Sequence, residues 1–164
     1  MLRHLKKTIE LKKINVRKGE ILQRSGDFNS KVYQVVSGLL RSFTIDEKGK
    51  EHIFMFAPEN WIIADSQPKE KPCDLYIDAL EDSIIIVLNK DIKRESQNIG
   101  AFINRLAVLQ NRVIMLMSFS AIKRYEHFEE TYPDIIQRVT QKMIASYLGI
   151  TPEALSNLKN DRIK

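Results

Sequence analysis

The stretch from Thr140 to Lys164, "TQKMIASYLGITPEALSNLKNDRIK", spaces polar and basic side chains in a way that suits contact with a nucleic acid. Thr140, Gln141 and Lys142 open one short amphipathic run. Thr151, Glu153, Ser156, Asn157, Lys159 and Arg162 mark a second. Amides and hydroxyls exchange hydrogen bonds with base edges, and lysine or arginine neutralises phosphates. This is chemistry of recognition. No nucleophile stands beside a general base anywhere in the chain, and "EDS" at Glu81–Ser83 reads as a turn, so an enzyme is not expected. His4, His52 and His127 are far apart and Cys73 is the single cysteine. Neither a zinc nor an iron–sulfur ligand set can be drawn from them, nor a disulfide within the chain, and no cofactor is expected.

The elements that must carry those side chains are legible locally. Thr140 suits the N-cap of a helix from Gln141 to about Tyr147. Ile144, Ala145 and Leu148 form its inner face, with Ala145 small where a second helix crosses. Gly149 supplies the left-handed residue that ends the helix, and Ile150 turns back into the core. Thr151 caps the next helix, Pro152 takes the first helical position and Glu153 favours the positive end of the helix dipole. Leu155 and Leu158 complete a small core. Glu153, Ser156, Asn157 and Lys159 are left facing outward. An ordinary pair of helices needs only the glycine. The full set fits a helix–turn–helix whose second helix enters a major groove.

The rest of the 164 residues has room for a sizeable core. A net charge of +5 permits an anionic partner without proving one. No apolar run spans a membrane and the N-terminus lacks a signal-peptide core, so a cytoplasmic protein without membrane contact is expected. Residues up to about Leu88 read as short strands. "RSFTIDEKGKEHIFMF" is a hairpin turning at Asp46–Gly49, with Ile53 and Phe54 opening the return strand. "DLYIDALEDSIIIVL" gives strands at Leu75–Ala79 and Ile84–Leu88. Many such strands imply a sandwich or barrel. Asn89 can cap a short helix from Lys90. From about Ile99 to Glu130 the period is helical. Phe102, Leu106, Leu109, Val113 and Leu116 make a heptad-like seam, and Ile103, Ile114, Met117 and Ala121 a second stripe. Two apolar faces call for two partners. One is the chain's own β domain. The other is either the monomer core or the same helix of a second copy.

The segment "QRVTQKMIASYLGITPEALSNLK" resembles the C-terminal DNA-binding region of the Crp–Fnr (catabolite-activator) family of bacterial transcription regulators. It is closest to the compact branch that ends just after the recognition helix, so no C-terminal wing is expected. The phrases "KGEILQRSGD", "VYQVVSGLLRSFTIDEKGKE", "FAPENW" and "IDALEDS" extend the resemblance over nearly the whole chain. It implies an α+β fold with three parts. Residues 1–97 form a cyclic-nucleotide-binding-like β-roll, 98–122 a long dimerisation helix, and 123–164 the helix–turn–helix domain. The seam from Phe102 to Leu116 falls on the dimerisation helix. The implied partners are double-stranded DNA, a second copy of the chain and RNA polymerase.

The chain departs from nucleotide-binding relatives. Those carry Gly-Glu and, further on, Arg with Ser or Thr, which hold the ribose and the cyclic phosphate. Here the first place reads Ala64-Asp65 and the second Cys73-Asp74, with no arginine between Arg41 and Arg94. Asp65 and Asp74 would repel a phosphate, and Lys69 and Lys71 read as a solvated loop. A degenerate sensor is expected, whose roll holds either another small molecule or nothing. The recognition helix also has Asn157 where many relatives have a guanine-reading arginine. The rival expectation is an interaction module that keeps the fold without binding DNA. A salt-dependent shift with genomic DNA separates the two.

Overall fold

In the computed structural model, residues 12–90 and 99–163 are described. The helix expected from Lys90, His4 and Lys164, and the side chains of Phe102 and Arg162, lie outside the described set. Among the described residues eight strands come first: β1 Lys13–Val16, β2 Ile21–Gln23, β3 Lys31–Ser37, β4 Leu40–Ile45, β5 Glu51–Ala57, β6 Ile62–Ala64, β7 Tyr76–Ala79 and β8 Ser83–Asn89. They form two antiparallel sheets, ordered β1-β8-β3-β6 and β2-β7-β4-β5. Alternation sends one side of each strand inward. Tyr33 and Val35 from β3, Leu40 from β4, Ile77 from β7 and Ile85 from β8 meet between the sheets. Gly38 makes the β3–β4 corner at φ 94°, where a Cβ would stand 2.2 Å from Ser83 Oγ. Only glycine fits that approach.

The hairpin expected at Asp46–Gly49 forms, with the Asp46 carboxylate accepting the N–H of Lys48 and Lys50. Its return strand differs from simple alternation. The β4–β5 register slips between Ser42 and Phe43, leaving Phe54 as an extra, bulged residue. Met55 and Ala57 therefore join the roll interior, while Ile53 and Phe56 face the opposite side of the sheet.

Four helices follow among the described residues: α1 Ile99–Ser118, α2 Ala121–Thr131, α3 Gln141–Leu148 and α4 Pro152–Ile163. The run read as one helix from Ile99 to Glu130 breaks at Phe119–Ser120. Arg124 accounts for the break: its guanidinium donates to Leu116 O at 2.7 Å and Phe119 O at 3.0 Å, carbonyls that a helix end leaves without partners. The helices pack on the outer face of the β2-β7-β4-β5 sheet. Phe43, Ile53 and Phe56 share a core there with Met115, Tyr125, Phe128, Tyr132, Ile144 and Leu148. Phe56 lies at its centre, with ring centroids of Phe128, Tyr132 and Tyr147 at 6.1, 5.8 and 5.8 Å. Among the described residues no helix is long and apolar enough to cross a membrane.

Candidate nucleic-acid interface and roll cassette

The α3–α4 pair is built by its caps. Thr140 has extended backbone at the N-cap and its side chain accepts the Met143 N–H at 3.3 Å. Gly149 closes α3 at φ 67°, ψ 32°, and the Ile150 N–H returns to Ala145 O at 3.0 Å. That pairing satisfies a carbonyl the helix end would strand. Thr151 Oγ1 accepts from Ala154 N at 3.1 Å and Pro152 opens α4. Ile144, Ala145, Leu148 and Leu155 are fully buried between the helices and the sheet. The Glu153 carboxyl is held below its usual range by its own backbone N–H and the Thr151 hydroxyl.

Of the expected contact residues, Thr140, Gln141, Lys142, Thr151, Glu153, Ser156 and Asn157 are exposed. Two hydroxyls, Thr140 and Thr151, are committed to the caps, so they order the helices. Lys159 is not on the open face. It is half-buried, with its ammonium 5.2 Å from the Tyr125 ring centroid. Among the described side chains, the outward side of α4 includes Glu153, Ser156, Asn157, Asn160 and Asp161. Among the described side chains of α3 and α4, the exposed cation is Lys142, at the start of α3.

Sequence reading missed the residues that fix this pair on the roll. Ser146 Oγ accepts from Ile53 N at 3.0 Å and donates to Glu51 O at 2.8 Å, so one hydroxyl continues the ladder along the free edge of β5. Arg112 donates to Tyr147 O at 3.1 Å and stacks over the Tyr147 ring at 3.8 Å. Arg124 reaches Leu148 O at 3.1 Å. Arg138, just before α3, is gripped by two carboxylates from separate turns of the roll. Glu59 lies at 2.9 and 3.0 Å and Glu81 at 2.8 and 2.9 Å. The available signal was faint: Arg112 is one of two arginines inside a largely apolar helical run.

Arg138 bonding pulls the Glu59 carboxyl below its usual range. A group lowered on folding stabilises above its unfolded pKa, and that contribution is lost as pH falls through the folded value. Arg138→Gln should cost about 2 kcal/mol at pH 7, well below the scale of a fully buried pair because Glu59 is part-exposed. The deficit should shrink as acid protonates the carboxylates. Urea unfolding of both proteins from pH 7 down to about pH 3 measures it. A deficit independent of pH would contradict the clasp.

The four cassette residues come together. Ala64 and Asp65 end and follow β6, Cys73 and Asp74 precede β7, and the Asp65 carboxylate binds the Asp74 N–H at 2.8 Å. Asp65 and Cys73 are buried, and burial followed by the Asp65 charge pushes the Cys73 thiol up. Asp74 accepts from Gln67 Nε2 at 2.6 Å. Lys69 and Lys71 are exposed, as expected of a solvated loop. Among the described residues no group of three or more His, Cys, Asp or Glu side chains is placed to hold a metal ion.

Residues 13–95 match the cyclic nucleotide-binding domain family. The chain is 30% identical to the regulatory protein HlyX of Actinobacillus pleuropneumoniae, over 96% of this chain and 73% of that protein. This chain belongs to the Crp–Fnr family of transcription regulators. Another relative is the anaerobic regulatory protein of Haemophilus influenzae, 24% identical over 96% of this chain and 68% of that one. The fold of this chain is similar to that of FixK2 from Bradyrhizobium japonicum, with a TM-score of 0.74, 18% identity, and 92% and 83% of the two chains covered. A transcriptional regulator of the CRP/FNR family from Thermus thermophilus gives 0.75 at 15% identity, covering 92% and 84%.

In this Crp–Fnr chain the long helix α1 turns its apolar side chains differently from the expected division. Leu106, Leu109 and Val113 of the seam are exposed, and so are Ile103, Ile114 and Met117 of the second stripe. Both stripes therefore belong to one broad open face. Leu116 leaves the seam and packs half-buried against the chain's own core, beside fully buried Met115. Among the described side chains of α1 the inward side includes Arg112, Met115 and Leu116, and the charge among them is why apolar periodicity alone did not find it.

Proposed function

We propose that this Crp–Fnr chain is a dimeric, sequence-specific DNA-binding regulator whose roll is a degenerate sensor. The carrying observation is the α3–α4 pair, two capped helices that bury Ile144, Ala145, Leu148 and Leu155 and leave Ser156 and Asn157 open, which supports a helix–turn–helix. Such a pair places polar side chains at the N-terminal part of the second helix, where base edges are read. The names of its relatives as regulatory proteins support the reading. The division into a roll at 1–97, a dimer helix at 98–122 and a DNA-binding domain at 123–164 belongs to this proposal, as does RNA polymerase as a further partner.

A second reading, an interaction module that does not bind DNA, is favoured by one observation. The outward side of α4 carries Glu153 and Asp161, while Lys159 is turned onto Tyr125. Two substitutions decide between them. Asn157→Ala should flatten preference at one symmetric pair of base positions by about 1–3 kcal/mol. Lys142→Ala should weaken binding to every sequence and lower the salt slope by roughly one unit. Both are measured by titrating a selected duplex and a scrambled one at several salt concentrations. No change with either variant would favour the interaction module.

A further inference from the structure

Asp65 follows β6 with its side chain sealed in the roll. Its Oδ1 accepts the Gln67 N–H at 2.7 Å. Its Oδ2 accepts the N–H groups of Asp74 and Leu75, each at 2.8 Å, with Gln23 Nε2 at 3.4 Å. Backbone N–H groups converging on one point form an anion-binding nest, and three of them can hold an anion without any cationic side chain. The other faces of the loop are tied down as well. Lys90 Nζ donates to Asp65 O at 2.6 Å and Gln67 O at 2.5 Å, and Ser30 Oγ donates to Gln67 O at 2.9 Å. Gly26 N reaches Cys73 O at 2.8 Å, and Cys73 N reaches Asp27 O at the same distance.

We propose that the Asp65 carboxylate is a built-in anion. It occupies the nest formed by Gln67, Asp74 and Leu75, so the roll rests in its occupied form with no small anion bound. This deepens the degenerate-sensor reading and rests on it for its regulatory meaning. Repulsion is then not the main obstacle to an anionic effector. The donors that would receive it are already taken by a group tethered to the chain, whose effective concentration no free ligand matches.

Asp65→Ala keeps the β carbon and removes the carboxylate, and formate is that carboxylate. In the full chain the substitution should lower the melting temperature by roughly 10 °C in sodium chloride. Sodium formate at equal ionic strength should restore several degrees in a saturable way, as binding to the folded state requires. Amide exchange at Gln67, Asp74 and Leu75 should slow again in formate. The wild-type protein should melt alike in the two salts. If the variant does not fold in chloride, folding in formate supports the proposal. Equal melting of the variant in both salts, or failure to fold in either, overturns it and leaves Asp65 as a loop staple. DNA is not used in this experiment, so its failure leaves the DNA-binding reading standing. Loss of that reading likewise leaves this result untouched.

Discussion

Val113→Asp should convert a dimer into monomers that still fold. Val113 lies on the open face of α1 with Leu106, Leu109 and Met117, while Met115 on the same helix is buried in the chain's own core. Where two copies of α1 pair in parallel along a two-fold axis, each residue facing the axis lies near its own mate. The substitution would bury two carboxylates at once, without partners, where two valines had packed. The cost is several kcal/mol, and each 1.4 kcal/mol is about tenfold, so the dimer should weaken on the order of a thousandfold or more. The monomer loses nothing, because Val113 does not join its core. Sedimentation equilibrium over a concentration series reads the effect, and circular dichroism checks the fold. Leu116→Asp is the contrasting variant. It should damage folding itself, since Leu116 packs against the chain's own core. A Val113→Asp protein that dimerises like the wild type would show that this face is not the contact.

Phe56→Ala should be among the most damaging substitutions to stability. The ring is completely buried at the seam between sheet and helices, against Phe128, Tyr132 and Tyr147. Emptying such a site removes the transfer energy of the side chain and leaves a cavity that rigid neighbours cannot fill. The expected loss is about 3–5 kcal/mol, a large share of the stability of an ordinary domain. Because the ring joins two parts of the chain, the α3–α4 pair should loosen from β5 as well. Urea unfolding followed separately by helix and strand signals tests both points. A loss below about 1 kcal/mol would mean that the two parts do not depend on this core.

What the sequence shows and what it hides follow the range of the interaction. Thr140, Gly149, Thr151 and Pro152 act within a few residues of themselves, and the caps formed as read. The hairpin at Asp46 is local too. The bulge at Phe54 is not, because it is set by which side of β5 meets the helices. Ser146 on β5 and Arg138 between Glu59 and Glu81 join residues more than fifty positions apart, and residue type alone gives no sign of such pairs. Leu116 was placed on the seam because periodicity finds apolar faces without saying what each one meets. Lys159 was read as a phosphate contact for its charge, yet its long stem lets the ammonium fold onto Tyr125. Asp65 was read as a repulsive charge. Its carboxylate is instead the acceptor that organises the loop.

The central claim is that the α3–α4 pair of a dimer reads DNA. Its most direct test is an anisotropy titration of the wild-type protein with a duplex selected from random sequence. The expected site is a palindrome with half-sites about 34 Å apart, one helical turn. It should bind roughly a thousandfold or more tighter than a scrambled duplex, with affinity falling steeply as salt rises. Equal affinity for the selected and scrambled duplexes at every salt concentration, or no binding to either, would contradict it.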